Sequence, residues 1–189
     1  MAEGQTPTGT ITLPGVTQEP VQVTVVSSNP NFLVVPSPVT VPAGQREANF
    51  TATAVENTYL DFSQHLTITI SAPDYTSSLV PFALSDNESR ALIVTLPASV
   101  SEGGASGIGW VSIQGGALSR NGFDISVDSS DTSAILVQDA VEIPPGANSV
   151  DFDIFPQEDP DNESETVEIQ ATHPQLVLGA ENMQAADND

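Results

Sequence analysis

The sequence has no cysteine, no lysine, a single tryptophan and no long apolar run. Without cysteine there is no disulfide framework, no thiol nucleophile and no cysteine-based zinc site. Arg46, Arg90 and Arg120 are the only basic residues against 25 Asp and Glu, a formal charge of −22. A nucleic-acid backbone finds nothing here to neutralise it, and an anionic membrane surface is disfavoured for the same reason. No run approaches the ~20 apolar residues of a membrane helix, and Met1-Ala2-Glu3-Gly4 does not read as a signal peptide. Aromatics make up 5% of the chain, too few for the aromatic-lined cleft of a glycoside hydrolase. Ser/His nucleophile patterns and phosphate-cradling glycine loops are missing as well, so the sequence reads as a non-enzyme.

What is present is short alternation. Val21-Gln22-Val23-Thr24-Val25, Leu66-Thr67-Ile68-Thr69-Ile70 and Val150-Asp151-Phe152-Asp153-Ile154 each repeat with a period of two, punctuated by Pro, Gly, Ser or Asn. No stretch carries a sustained helical stripe. An all-β fold follows, built as antiparallel sandwiches.

The chain also repeats itself. Val41-Pro42-Ala43-Gly44, followed by Asn49-Phe50, recurs as Ile143-Pro144-Pro145-Gly146 followed by Asp151-Phe152. Ser27-Ser28-Asn29 answers Ser129-Ser130-Asp131, Glu3-Gly4 answers Glu102-Gly103, and Asp86-Asn87-Glu88 answers Asp187-Asn188-Asp189. Matches kept in order predict two seven-stranded Ig-like domains, 1–88 and 89–189. In the second, strands are expected near 91–96, 107–114, 123–128, 134–143 (interrupted at Gln138-Asp139), 149–155, 166–171 and 177–185. The first repeat has no counterpart of Ala91–Leu96. Its initial strand is expected to be missing, cut away with the preceding sequence, leaving an open sheet edge suited to self-association.

Strand parity then places charge. In an antiparallel sandwich the segments after strands one, three and five gather with the end of strand seven at one pole. In the second repeat these carry Glu102, Asp128 with Asp131, Glu158 through Glu165, and Asp187-Asn188-Asp189. The opposite pole, Gln114–Gly122, Pro144–Ser149 and His173–Leu176, has no carboxylate. Crowded carboxylates repel unless a cation joins them, and Ca²⁺, a hard ion with ~6–8 oxygen ligands, suits such a cage. The competing reading is a solvated acidic surface that serves solubility.

In order and spacing these stations resemble the Calx-beta family, the calcium-binding sandwich of sodium/calcium exchangers that also recurs in large bacterial surface proteins. Its marks here are Ala98-Ser99-Val100-Ser101-Glu102-Gly103-Gly104, Ile143-Pro144-Pro145-Gly146, the acidic loop ending at Glu165-Thr166-Val167, and Asp187-Asn188-Asp189. The resemblance implies calcium ligands at Glu102, Glu158, Asp159, Glu163, Asp187 and Asp189, with Asp131 as a further contributor. In the first copy it implies Glu3, Glu56, Asp61, Asp86 and Glu88. That copy departs from the pattern, with Asn29 in place of Asp131 and a loop thin in charge, so weaker binding or none is expected there. The function implied is a calcium-binding structural or adhesion segment of a larger extracellular protein, an ion at the joint of the repeats stiffening a tandem rod. Its expected partners are calcium ions, neighbouring repeats of the parent chain and a cell-surface or glycan ligand. The alternatives are a metal-free acidic spacer and, further off, a carbohydrate-binding module using Trp110. Phe50 and Phe152 hold matching places and are expected in the core. Trp110 is expected in the core or as a half-buried anchor, and His65 and His173 as strand-end residues.

Overall fold

The computed structural model describes residues 1–158 and 163–187. Among these residues the chain is all-β apart from one short 3-10 turn, and it divides into two compact units. The first takes Met1–Asn57 and Asp61–Asn87, the second Thr58–Leu60 and Glu88–Asp189. In the first unit the strands are β1 (Thr8–Thr12), β2 (Val21–Ser27), β3 (Leu33–Val34), β4 (Val39–Val41), β5 (Glu47–Thr51) and β6 (Thr53–Ala54). The short β7 (Tyr59–Leu60) groups with the second unit, and β8 (Gln64–Ser71) and β9 (Ser78–Leu84) complete the first. The second unit continues with β10 (Leu92–Thr95), β11 (Ser99–Ser101), β12 (Gly107–Ile113), β13 (Leu118–Ser119) and β14 (Phe123–Ser129). It ends with β15 (Ile135–Val137), β16 (Ala140–Ile143), β17 (Ser149–Pro156), β18 (Glu165–Thr172) and β19 (Gly179–Ala186).

These residues form strands because one face of each run is apolar. Val23, Val25 and Ser27 of β2 are buried while Gln22, Thr24 and Val26 face out, and β17 alternates in the same way through Phe152, Ile154 and Pro156. In the second unit two sheets of order β10-β12-β17-β15 and β11-β19-β18-β14-β16 stack their apolar faces. Between them lie Val111, Ile125, Ile135, Ile143, Phe152, Ile154, Val167 and Ile169, all buried. The first unit repeats the plan with β4-β2-β8-β9 on one side and the pairs β1-β5 and β3-β6 on the other, around Val25, Leu33, Val41, Phe50 and Leu84.

Matched pairs fix the correspondence of the two units. Gly9 lies opposite Phe50 and Gly109 opposite Phe152. Each phenyl ring covers its glycine so closely that an added Cβ would stand 2.5 or 2.4 Å from a ring carbon. Both Phe residues are core, as their matched places in the sequence suggest. β10 pairs with β12 through Leu92↔Ile113 and Val94↔Val111, so β12 has two neighbours. Its counterpart β1 has one among the described residues, β5. Among the described residues the first sandwich therefore has no counterpart of β10. The strands read from the second repeat fall where expected, and β11 and the two-residue β13 are additions; in β11, Ser99-Val100-Ser101 carries one apolar residue and no alternation to find. β11 exists because it pairs in parallel with β19, Val100 opposite Ala185.

Candidate metal centre

In the first unit the acidic end is organised around Glu3. Ser85 N donates to Met1 O at 2.7 Å and Glu3 N donates to Ser85 O at 3.1 Å, continuing β9 into the chain start. This pairing turns the Glu3 side chain inward, where the residue is 4% exposed. Asn57 Nδ2 donates to Glu3 Oε2 at 2.9 Å, and Asn87 Nδ2 donates to both oxygens of Glu56 at 3.1 and 3.2 Å. Asp86 Oδ2 accepts two consecutive amides, Asp61 N at 3.0 Å and Phe62 N at 3.1 Å. Its Oδ1 is buried with no hydrogen-bond partner. One carboxylate oxygen each from Glu3, Asp86 and Glu88, the last two residues along the chain from Asp86, come within 4.8 Å of one another.

This geometry sets the charge state of Glu3. Burial first, then the carboxylates of Asp86, Asp61 and Glu56, push its pKa up from 4.5 to about 7, against the opposing hydrogen bond from Asn57. A cation would reverse each raising cause except burial. The chemistry of the set is hard: oxygen donors with no imidazole or thiolate, which suits calcium and excludes zinc from preference. Two oxygens bound to one calcium at about 2.4 Å stand no farther apart than roughly 4.8 Å, so the spread of the trio fits a single ion. Magnesium, at about 2.0–2.1 Å and reluctant to shed water, needs a tighter cage.

The second unit builds the same frame. Glu102 is 1% exposed, and its N donates to Ala186 O at 3.0 Å, as Glu3 N does to Ser85 O. Gly103 N donates to Gln157 O at 3.1 Å, Gln157 N to Ala134 O at 2.8 Å and Asp187 N to Ser164 Oγ at 3.1 Å. The segments bearing Glu102, Glu158, Glu163 and Asp187 thus share one end of the unit. Glu158 lies against Gly103 as Glu56 lies against Gly4, and both glycines have positive φ, 54° and 71°. A side chain at either position would be strained and would displace that carboxylate. Gly103→Ala is accordingly expected to cost about 1–2 kcal/mol, measured by urea unfolding followed at Trp110.

Two acids stand apart. Asp131 turns back on its own loop, accepting Ser133 N at 2.9 Å and Ser133 Oγ at 2.5 Å, which holds its pKa below the usual 3.8. Asp128 is exposed on β14, between the inward Val127 and the turn. Among the described residues, the three-carboxylate group within 4.8 Å is the one at Glu3, Asp86 and Glu88, whereas the sequence ranks the second repeat first. Asp159 and Asp189 lie outside the described residues. Sequence reasoning passed over Asn57 and Asn87, whose carboxamides hold Glu3 and Glu56. The signal was there in the dipeptides Glu56-Asn57 and Asp86-Asn87, an amide donor next to each acid.

Trp110 is neither core nor acidic-end material. It projects from β12 between the core-facing Gly109 and Val111, 47% exposed. His65 is exposed, and His173 sits against Phe123 with ring centroids 5.1 Å apart.

No family model matches the chain and no curated protein does. Among solved structures it is similar to CBD12 from CALX1.2, at 12% identity and a TM-score of 0.41 over 93% of this chain and 78% of that one. It is also similar to the D0-D1 domain of Intimin, at 10% identity and TM-score 0.41 over 98% and 93%. Domains 4 and 5 of the S-layer protein SbsC match at 15% identity and TM-score 0.39 over 93% and 74%. Likenesses this distant say nothing about ligand or partner.

Proposed function

We propose that the chain is a calcium-binding structural segment of a larger extracellular protein, with Glu3, Asp86 and Glu88 as the first ligand set. Glu56 and Asp61 add negative charge to that set. Glu102, Glu158, Glu163 and Asp187 form the corresponding candidate set in the second unit. The observation that carries the reading is Asp86: one oxygen is fixed by two amides, and the other is buried without a partner in a group of carboxylates. A buried carboxylate oxygen left unsatisfied is costly, and a divalent cation is the partner its surroundings prescribe. Extracellular calcium modules bind at about 10⁻⁴–10⁻³ M, so millimolar external calcium would load such a site.

Calorimetric titration of the full chain with calcium chloride at neutral pH tests this. Binding in that range is expected, weakened at least about tenfold by Asp86→Asn, the loss of a charged ligand being worth about 1.4 kcal/mol or more. No binding heat, with melting curves that superimpose in calcium and in sodium chloride of matched ionic strength, would leave the spacer reading standing. One observation favours that second reading: Asn57 and Asn87 already give Glu3 and Glu56 hydrogen bonds without any ion.

A further inference from the structure

The open edge of the first sandwich is a groove, and the second unit shows what shape of guest fills it. There, Leu92 and Val94 of β10 are 4% and 3% exposed beneath the sheet, and the strand is pinned at its start by Leu92 N donating to Val177 O at 3.0 Å and Val177 N donating to Arg90 O at 2.7 Å. In the first unit the same floor is uncovered. Two adjoining hollows of about 270 and 240 Å³ run beside β1 and meet at Ile70. Ile70 pairs with Ser78 as Ala171 pairs with Gly179, and Phe82 with Leu66 as Met183 with Val167. Ala171 and Met183 are 0% and 2% exposed, while Ile70 and Phe82 are only partly buried.

The backbone is equally unfinished. Leu13 N donates to Arg46 O, so Leu13 and the alternate residues of β1 spend their ladder bonds on β5. Thr10 and Thr12 then present theirs to the open side. The ladder stops at Pro14, which has no N–H where Gln114 N donates to Ala91 O.

We propose that this groove docks an extended polypeptide strand from outside residues 1–189, running antiparallel to β1. The strand carries aliphatic side chains at the two alternate positions opposite Leu13 and Ile11, as Leu92 and Val94 stand opposite Ile113 and Val111. It is neutral or basic, because a formal charge of −22 disfavours an acidic one. The chain's own strand of this pattern, β10, is already engaged with β12. Main-chain pairing supplies the affinity and the two pockets the selectivity.

A peptide copying residues 90–98, titrated into the ¹⁵N-labelled full chain, is expected to shift the amides of Thr10, Thr12, Tyr75 and Ser78 saturably. A peptide with L92D and V94D should bind at least about tenfold more weakly. The same segment grafted ahead of Met1 gains effective concentration and should raise the melting of the first unit by roughly 5 °C or more, its L92D/V94D version by none. A graft that leaves both melting and those amides unchanged overturns the proposal. So does a full chain that self-associates with the same amides protected, since the groove then belongs to a second copy. Neither readout uses calcium, so all arms run in chelator and stand apart from the metal-site test.

Discussion

In calcium-free buffer, raising the pH from 5 to 8 should destabilise the first unit by about 2–3 kcal/mol. Glu3 is the cause. Its folded pKa of about 7 lies above the 4.5 of the unfolded chain. Its contribution to stability is therefore fully present below pH 4.5 and is lost as the pH rises through about 7. The difference corresponds to about 3 kcal/mol over the whole range at roughly 1.4 kcal/mol per pH unit, most of it between pH 5 and 8. For a unit of this size that is roughly ten degrees of melting temperature or more. His173 works with the opposite sign. Burial lowers its pKa from 6.5, so its share of stability is present above that value and is lost as the pH falls. Asp131, lowered from 3.8, enters only under more acid conditions, where its stability is lost as the pH drops below that value. Hydrogen exchange resolved by peptide reads the first unit by itself: β8 and β9 should exchange faster at pH 8 after correction for intrinsic rate. General repulsion in so acidic a chain would loosen both units together and fade in salt. A loss in the first unit that sodium chloride abolishes would remove Glu3 from the explanation.

The sandwich was legible because β strands announce themselves by alternation, and Leu66-Thr67-Ile68 or Phe152-Asp153-Ile154 can bury only one face. The correspondence of the two units was legible for a related reason: Glu3-Gly4 stands where Glu102-Gly103 stands, and Phe50 where Phe152 stands. At the acidic ends, loop hydrogen bonds add what a count of acids does not contain. The second repeat holds more carboxylates, but Asp131 caps its own turn and Asp128 faces out. In the first repeat Glu3 is turned inward by the Met1–Ser85 pairing and Asp86 is oriented by the Asp61 and Phe62 amides. Phe62, with φ of 57°, holds a conformation that sequence patterns do not forecast for a bulky residue. Trp110 takes the half-buried rather than the core alternative, because its parity beside Gly109 and Val111 sends it outward.

Glu3→Gln should make the protein more stable at pH 8 without calcium, and should abolish most of the stabilisation that calcium brings. The substitution keeps size and lets an amide oxygen accept from Asn57, while removing the buried charge and its repulsion with Asp86, Asp61 and Glu56. The gain expected is about 2–3 kcal/mol at pH 8, vanishing toward pH 4.5, where the native acid is already neutral. Calcium at a hundredfold excess over its dissociation constant stabilises the wild type by about 2.7 kcal/mol, so the two proteins should melt nearly together in calcium and apart in chelator. That crossing separates a ligand from a merely buried acid. A structural Glu3 held by hydrogen bonds alone predicts a variant that is stabilised equally with and without calcium. A Glu3 already ionised at pH 5 predicts no gain at all, and the metal reading would then have to rest on Asp86 and Glu88, whose isosteric variants Asp86→Asn and Glu88→Gln would be the ones to lose the calcium response.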